Sequence, residues 1–197
     1  MNIYFDAEFT GLHQKTTLIS LAIVPETGPY FYAEFTDYDR NQIDDWLQDH
    51  VLDNLTLTEK PIVEPIQFDK HTSVKGEEVN IINICGDTKT ITKYLTEYLR
   101  MLCTRSASPG SRTLYFVSDC LAYDFVLFCE LFGGAMKLPK FVYYIPFDIC
   151  TTMKDQGIDP DINREKFAGI DAPAAKHNSL WDAEIIQICY DKLKEGY

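Results

Sequence analysis

The sequence predicts a mixed α/β fold in which a central β-sheet is flanked by α-helices. Two observations predict it: three closely spaced apolar segments open the chain, and strand-like and helical segments alternate in its second half. A usual domain has about 100–200 residues, so the 197 residues fit a single domain over 1–197.

The first 36 residues predict three strands, with the sequences NIYFD, TLISLAIV and YFYAEFT. The second and third are joined by the turn residues 26–29, and such short connections favour an antiparallel meander. A helix near 41–51 follows, because Ile43, Trp46, Leu47 and Val51 recur at helical spacing.

Residues 53–77 contain Pro61, Pro65 and Gly76 and are interpreted as an irregular excursion. A strand EVNIINIC follows, and then a helix that Asp87 and Thr88 cap. The segment SASPGSR at 106–112 ends that helix. The remaining predicted elements are, in order, a strand TLYFV, a helix near 122–132, a strand FVYYI, a helix near 147–156 and a last helix near 179–194.

No run reaches the roughly 18 apolar residues that a membrane-spanning helix needs, so no membrane partner is expected. The start MNIYFDAEF lacks the basic segment of a signal peptide, which favours a cytoplasmic protein. The six cysteines form no C-x-x-C pair, which argues against a disulfide framework or a zinc knuckle.

The chain carries 18 basic and 30 acidic residues, a net charge of -12. This balance argues against a broad basic surface that wraps nucleic acid. A nucleic acid would bind at a small site where metal ions supply positive charge. The alternative is an acidic protein that mimics nucleic acid, with carboxylates spread over its exposed faces.

Four acidic residues stand at the ends of predicted elements. Asp6 and Glu8 lie two apart on a strand, so their side chains share one face, roughly 7 Å apart, and can converge on a cation. Asp124 begins a buried helix after a strand, where it either serves a ligand site or stabilises the helix dipole. Polar residues at a strand end are the alternative for the first pair.

Asp182 lies on the core-facing side of the last helix, where an unpaired charge costs several kcal/mol. It either binds a metal or forms a capping box with Ser179. His177 precedes it by five residues and is expected on a loop beside the site.

The segments FDAEFTGL, AYDFVLF and HNSLWDA resemble the three motifs of the DEDDh 3′-to-5′ exonucleases, which have the ribonuclease H-like fold. The isoleucine-rich second strand, WLQDHVLDNL and AYDFVLFCELFGG resemble a smaller bacterial and phage branch of exoribonucleases, related to a mycobacterial enzyme that trims RNA 3′ ends. Many DEDDh nucleases carry a His-Asn pair where this chain has Asp119 and Cys120, so substrate contacts do not transfer from the oligonucleotide-trimming and proofreading branches.

The resemblance implies a catalytic site of Asp6, Glu8, Asp124, His177 and Asp182. The four acids would bind two divalent ions, with Asp6 bridging them, and His177 would be the general base. Hard oxygen ligands suit Mg²⁺ or Mn²⁺. The same resemblance makes residues of the first motif candidates for holding the terminal nucleotide: Phe9, Thr10, Gly11 and Leu12. The basic residues nearest the motifs, which either contact phosphates or are solvated, are Lys15, Arg164 and Lys176.

The expected function is a metal-dependent 3′-5′ exoribonuclease that acts on RNA 3′ ends and releases nucleoside 5′-monophosphates by a two-metal-ion mechanism. One alternative keeps this chemistry and takes DNA as the substrate. The other is a non-catalytic acidic binding protein. Homodimer formation is left open.

Overall fold

The computed structural model of the protein describes residues 1–57, 67–104, 113–171 and 177–196. The strands are β1 Asn2–Phe9, β2 Leu18–Pro25, β3 Tyr30–Phe35, β4 Asp69–Thr72, β5 Glu78–Gly86, β6 Tyr115–Ser118 and β7 Phe147–Asp148. The α-helices are α1 Asp45–His50, α2 Thr88–Thr104, α3 Asp124–Leu131, α4 Ile149–Asp155, α5 Arg164–Ala168 and α6 Ser179–Glu195. Short 3₁₀ turns cover Arg40–Gln42, Leu52–Asn54 and Ala135–Lys137.

The strands of this described part form one mixed sheet, in the order β4-β5-β3-β2-β1-β6-β7. β1, β2 and β3 pair antiparallel, which confirms the predicted meander. β6 lies parallel to β1, and β5 lies parallel to β3. The prediction of a mixed α/β fold with flanking helices is therefore confirmed.

Successive side chains of β1 point to opposite faces of the sheet, and each face is covered by a different set of helices. Ile3 and Phe5 pack into a core cluster with α2 and α3, whereas Tyr4 packs into a second cluster with α4, α5 and α6. The first cluster is rich in aromatic rings, and the centroids of Phe116 and Phe128 lie 4.5 Å apart. Burying one such ring stabilises the fold by about 1.5–3 kcal/mol. These two layers fix β1 at the centre of the molecule.

Two predicted elements change in type. Part of the excursion over 53–77 forms the exposed edge strand β4, whose polar sequence DKHT gave no apolar signal. Its strand conformation comes from antiparallel pairing with β5. The predicted strand FVYYI is wrong, because only Val142 pairs, in an isolated bridge with Leu114, before the two-residue β7 begins at Phe147. Pro146 lacks the N–H that a continuing ladder needs.

The helical predictions need smaller corrections. The helix expected near 41–51 is divided into a 3₁₀ turn and the short α1, since Asp44 caps α1 by accepting the N–H of Leu47 at 2.8 Å. The short α5 lies between the helices expected near 147–156 and 179–194, where the sequence predicts no element. Segment 106–112 lies outside the described residues. Within the described ranges, no helix is long and apolar enough to cross a membrane.

Candidate active site at the end of β1

A cleft of about 720 Å³ opens beside the carboxyl ends of β1 and β6. Because these two strands run parallel, the loops that follow them meet at the same edge of the sheet. The cleft is lined by β1, by the connection from β6 to α3, by the start of α5 and by the start of α6. The site residues that the sequence predicted all line it, namely Asp6, Glu8, Phe9, Thr10, Gly11, Leu12, Asp124, His177 and Asp182.

Three of the predicted carboxylates form one cluster. One oxygen each from Asp6, Glu8 and Asp182 can be chosen so that all three atoms lie within 4.8 Å of one another. The two β1 residues share the sheet face that α6 covers, and Asp182 stands in the first turn of α6. The folded chain therefore brings together acids that are about 175 residues apart in sequence.

The start of α6 is capped by a residue other than the predicted serine. Asn178 is the N-cap and accepts the N–H groups of Leu180 and Trp181. The Ser179 hydroxyl instead lies 2.9 Å from that of Ser20 on β2, and both serines are buried. The capping box between Ser179 and Asp182 is therefore not formed, although the Asp182 carboxylate, which lines the cleft, accepts backbone hydrogen bonds from His177 and Asn178.

Asp124 approaches the cluster from the other side of β1. It is the first residue of α3, is 6% exposed, and its carboxylate accepts the backbone N–H of Ala7 at 3.0 Å. Ala7 lies between Asp6 and Glu8. This hydrogen bond orients the Asp124 carboxylate toward the end of β1. Stabilising the dipole of α3 is therefore not its only interaction.

Burial and mutual repulsion make these carboxyl groups poor at carrying charge. Burial raises the pKa of Asp6 well above its usual value, and Asp124 and Asp182 raise it further. Burial raises the pKa of Glu8 to about 8, with added repulsion from Asp182. It also raises the pKa of Asp124 to about 7 and that of Asp182 to about 7, against backbone hydrogen bonds that lower both.

The carboxylates suit a hard divalent cation. Among the described residues, no lysine or arginine forms an ion pair with any of the four acids. Buried, unpaired carboxylates are costly, and a metal ion would offset that cost. Oxygen donors favour Mg²⁺ or Mn²⁺ over zinc. The donor set therefore fits the ions that the sequence predicts.

His177 lines the cleft but is turned toward α1. Its ring meets Trp46 edge to face with 4.9 Å between centroids. The ring of His50 stacks on Trp46 at 4.8 Å and also meets His177 edge to face, with centroids 6.1 Å apart. The backbone of His177 has a φ of 62°, in the left-handed region. The histidine thus lies near the acids without joining their cluster of ligand atoms.

The four candidate substrate-binding residues of the first motif differ in their exposure and in their contacts. The Leu12 side chain is 76% exposed, and Phe9 stacks on Tyr123 with centroids 5.7 Å apart. Thr10 is 3% exposed, and its hydroxyl donates to Gln42. The backbone N–H groups of Thr10 and Gly11 donate to the Thr17 carbonyl and to the Thr16 hydroxyl, both at 3.0 Å, so internal hydrogen bonds fix this loop.

Sequence reasoning missed two aromatic residues of the cleft. Trp46 was grouped with apolar positions of a helix, yet it is 49% exposed while its neighbour Leu47 is buried. Tyr123 immediately precedes Asp124 and was not singled out. The i, i+4 spacing of Trp46 and His50 was the available signal, since it places two flat rings on one helix face.

Arg164 is neither a free phosphate ligand nor a solvated charge. Its Nε and Nη2 donate to the two carboxylate oxygens of Asp119 at 2.7 and 2.9 Å. The guanidinium also donates to the carbonyl of Pro160 at 2.7 Å. Both sides of this ion pair are largely buried, so Arg164 ties α5 to the connection before α3. Lys15 is exposed, and Lys176 lies outside the described residues.

Comparison with known proteins gives a distant similarity. No protein-family model matches the chain. Two proteins of Mycobacterium tuberculosis, one from strain CDC 1551 / Oshkosh and one from strain H37Rv, are both named 3′-5′ exoribonuclease. Each is 24% identical over 157 residues, which are 80% of this chain and 76% of the relative. The similarity supports a distant relationship to proteins that carry this name.

Proposed function

We propose that this protein is a metal-dependent 3′-5′ exoribonuclease of the DEDDh type, with a ribonuclease H-like fold. The observation that carries the proposal is the convergence of Asp6, Glu8 and Asp182, with Asp124 hydrogen-bonded between the first two. The names of the two mycobacterial relatives support the reaction and the RNA substrate. The sheet order β3-β2-β1-β6-β7 is consistent with the fold.

Asp6, Glu8, Asp124 and Asp182 would together hold two divalent ions through their carboxylate oxygens. When bound, two such metal ions lower the pKa of a water molecule and stabilise the leaving oxygen of a phosphodiester. The residues contribute geometry: β1 holds two acids rigidly, α6 presents the third, and the Ala7 N–H orients Asp124. Acids on strand and helix ends keep their spacing better than acids on loops.

His177 would act as the general base. It takes a proton from the attacking water, and the phosphodiester then breaks at the terminal nucleotide to release a nucleoside 5′-monophosphate. In this structure the imidazole packs on Trp46, so the ring must leave that contact to reach the cluster of acids. His177 lies next to the start of α6, which allows this movement without repacking the helix.

The apolar side chains of the cleft suit a nucleotide base. Phe9, Leu12 and Trp46 line it, and two of these side chains are strongly exposed. Stacking on such surfaces is tolerant of sequence, as an exonuclease that removes successive nucleotides requires. The net charge of -12 gives no broad phosphate-binding surface, so the metal ions would supply the attraction for the 3′ end.

A time course on 5′-labelled single-stranded RNA tests the proposal. With Mg²⁺ or Mn²⁺ we expect a ladder that shortens from the 3′ end, and with a chelator no ladder. Asp6→Asn is expected to abolish cleavage. Asp155→Asn, which changes an exposed carboxylate at the end of α4, is the matched control and should cleave at the wild-type rate.

A DNA strand of the same sequence distinguishes the substrates. Faster digestion of DNA would replace the RNA assignment with an exodeoxyribonuclease and leave the chemistry intact. No cleavage of either strand by a correctly folded preparation would favour the non-catalytic acidic binding protein. Cleavage that survives Asp6→Asn would contradict the proposed site. Cytoplasmic location stays a prediction, and homodimer formation stays open.

A further inference from the structure

Two thiols stand together at the rim of the cleft, outside the carboxylate cluster. The Sγ atoms of Cys120 and Cys150 lie 3.6 Å apart. Cys120 is exposed and Cys150 is half-buried. The thiol of Cys150 donates to the Asp119 carboxylate at 2.9 Å, and the Arg164 guanidinium lies 3.1 Å from the same sulfur. We call these four residues the rim cluster.

The sulfur of Cys150 is held in a fixed position. Cys150 stands in the first turn of α4, where the Asp148 side chain caps the helix by accepting the N–H groups of Cys150 and Thr151, both at 3.2 Å. Cys120, in contrast, sits in the short connection from β6 to α3 with a left-handed φ of 51°. One sulfur thus lies on a capped helix, and its partner lies on the loop that leads into α3.

The arrangement of Asp119, Cys120 and Cys150 suits a disulfide between the two cysteines better than a metal ion. Ligand atoms of Asp119, Cys120 and Cys150 do lie within 4.8 Å of one another. The Arg164 guanidinium already neutralises Asp119 with two hydrogen bonds, and it contacts the Cys150 sulfur. A cation would have to displace this buried charge. Joining the two sulfurs needs no added charge.

We propose that Cys120 and Cys150 form a reversible disulfide when the protein meets a peroxide, and that this bond slows cleavage at the neighbouring carboxylates. The first half stands on the sulfur geometry alone. The second half rests on the proposed nuclease function. In reducing compartments disulfides are rare, and those that form are usually transient and catalytic or redox-sensing.

The reaction balances with one molecule of hydrogen peroxide. The exposed Cys120 sulfur attacks a peroxide oxygen, the O–O bond breaks, and a sulfenic acid and one water form. The Cys150 sulfur then attacks the Cys120 sulfur, while Asp119 accepts the Cys150 proton and passes it to the departing hydroxide, giving a second water. Two thiols lose two electrons and two protons, and the peroxide is reduced to two waters.

The bond would disturb the candidate site through the connection that carries Asp124. The sulfurs must close from 3.6 Å to the roughly 2.0 Å of a disulfide. Cys120 lies four residues before Asp124 and three before Tyr123, so closing this distance shifts the chain that leads into both residues. The Asp119 carboxylate also loses the Cys150 thiol as a donor. Misplacing reacting groups by 1 Å can slow an enzyme about 100-fold, so we expect a loss of about tenfold or more.

Mass spectrometry of the full chain tests the disulfide without any activity assay. After peroxide treatment and alkylation of free thiols, we expect peptides containing Cys120 and Cys150 to be linked, with the loss of two hydrogens, and dithiothreitol to reverse the link. Cys120→Ser, at an exposed position, should prevent it. Cys85→Ser, on β5, is the control and should retain it. Linkage of other cysteines, or oxidised Cys120 without a link, would overturn the proposal.

The RNA ladder assay, run on the oxidised and reduced forms of each variant, tests the second half. The wild type should slow by about tenfold or more on oxidation, and Cys120→Ser should show the same rate in both states. A disulfide that leaves the wild-type rate unchanged would overturn the regulatory half. If neither form cleaves RNA, the nuclease function fails, and the mass result still decides whether the disulfide forms.

Discussion

The carboxylate of Asp124 accepts the backbone N–H of Ala7 at 3.0 Å, in the middle of the pair Asp6 and Glu8. This hydrogen bond joins the start of α3 to the end of β1. It places a fourth acid beside three that already converge from β1 and α6. The sheet and two helix starts thereby concentrate negative charge at one edge of the molecule.

The raised pKa values predict that the metal-free protein loses stability as pH rises. Folding raises the pKa of Glu8 to about 8 and those of Asp124 and Asp182 to about 7, so the folded state binds more protons than the unfolded state between about pH 4 and 8. Thermal unfolding in a chelator should therefore give a higher Tm at pH 5 than at pH 8. Each kcal/mol corresponds to about 2–4 °C for a chain of this size.

Divalent cations should oppose that loss. Because metal ions bind the ionised carboxylates of the folded state, added Mg²⁺ or Mn²⁺ should raise the Tm more at pH 8 than at pH 5. Asp6→Asn should reduce the effect, and Asp155→Asn should not. An equal rise at both pH values would show that the cation binds elsewhere.

His177→Ala separates proton transfer from metal binding. Under the proposed function its loss removes a general base, which is worth about 10²–10⁴-fold in rate. His177 packs on Trp46 and not in the carboxylate cluster, so the rise in Tm on adding Mn²⁺ should remain. The measurements are RNA cleavage rates and thermal unfolding of the same samples. A wild-type cleavage rate in the variant would exclude His177 as the base.

Asn178→Ala should destabilise the fold by about 1 kcal/mol, because it removes the side chain that caps α6. Urea unfolding measures the change. Asn178→Ser keeps a capping oxygen and serves as the control. If the alanine variant were as stable as the wild type, the capping role of Asn178 would be wrong.

Arg164→Met tests the ion pair with Asp119. Both partners are largely buried, so the loss of the guanidinium should cost about 1–3 kcal/mol, more than an exposed pair and less than a fully buried one. The control is Lys70→Met, which breaks an exposed pair with Glu78 and should cost under about 1 kcal/mol. Equal decreases in the free energy of unfolding for the two variants, measured in urea, would contradict a larger contribution from the Arg164 ion pair.

The sequence predicted the elements whose signal is local. The meander and α2 follow from apolar periodicity and a cap, and both are observed. β4 was missed because its polar side chains carry no period and its conformation depends on pairing with β5. FVYYI has the composition of a strand, yet only Val142 pairs, and Pro146 separates that bridge from β7.

The candidate site likewise has features that the sequence predicts and contacts that it does not. The spacing of Asp6 and Glu8 placed both on one strand face, and the structure brings Asp182 to them. The ion pair of Asp119 with Arg164 and the packing of His177 on Trp46 join segments that are 45 and 131 residues apart, and no periodicity in the chain indicates such contacts. Long-range contacts of single side chains became visible only in the folded structure.

The most direct test of the central claim is a count of the metal ions that the four carboxylates hold together. Isothermal titration of Mn²⁺ into the metal-free chain at about pH 7.5 should give two ions per chain. Asp6→Asn should bind fewer ions, and Asp155→Asn should match the wild type. A wild-type chain that binds no Mn²⁺, or an Asp6→Asn chain that still binds two ions, would contradict the account.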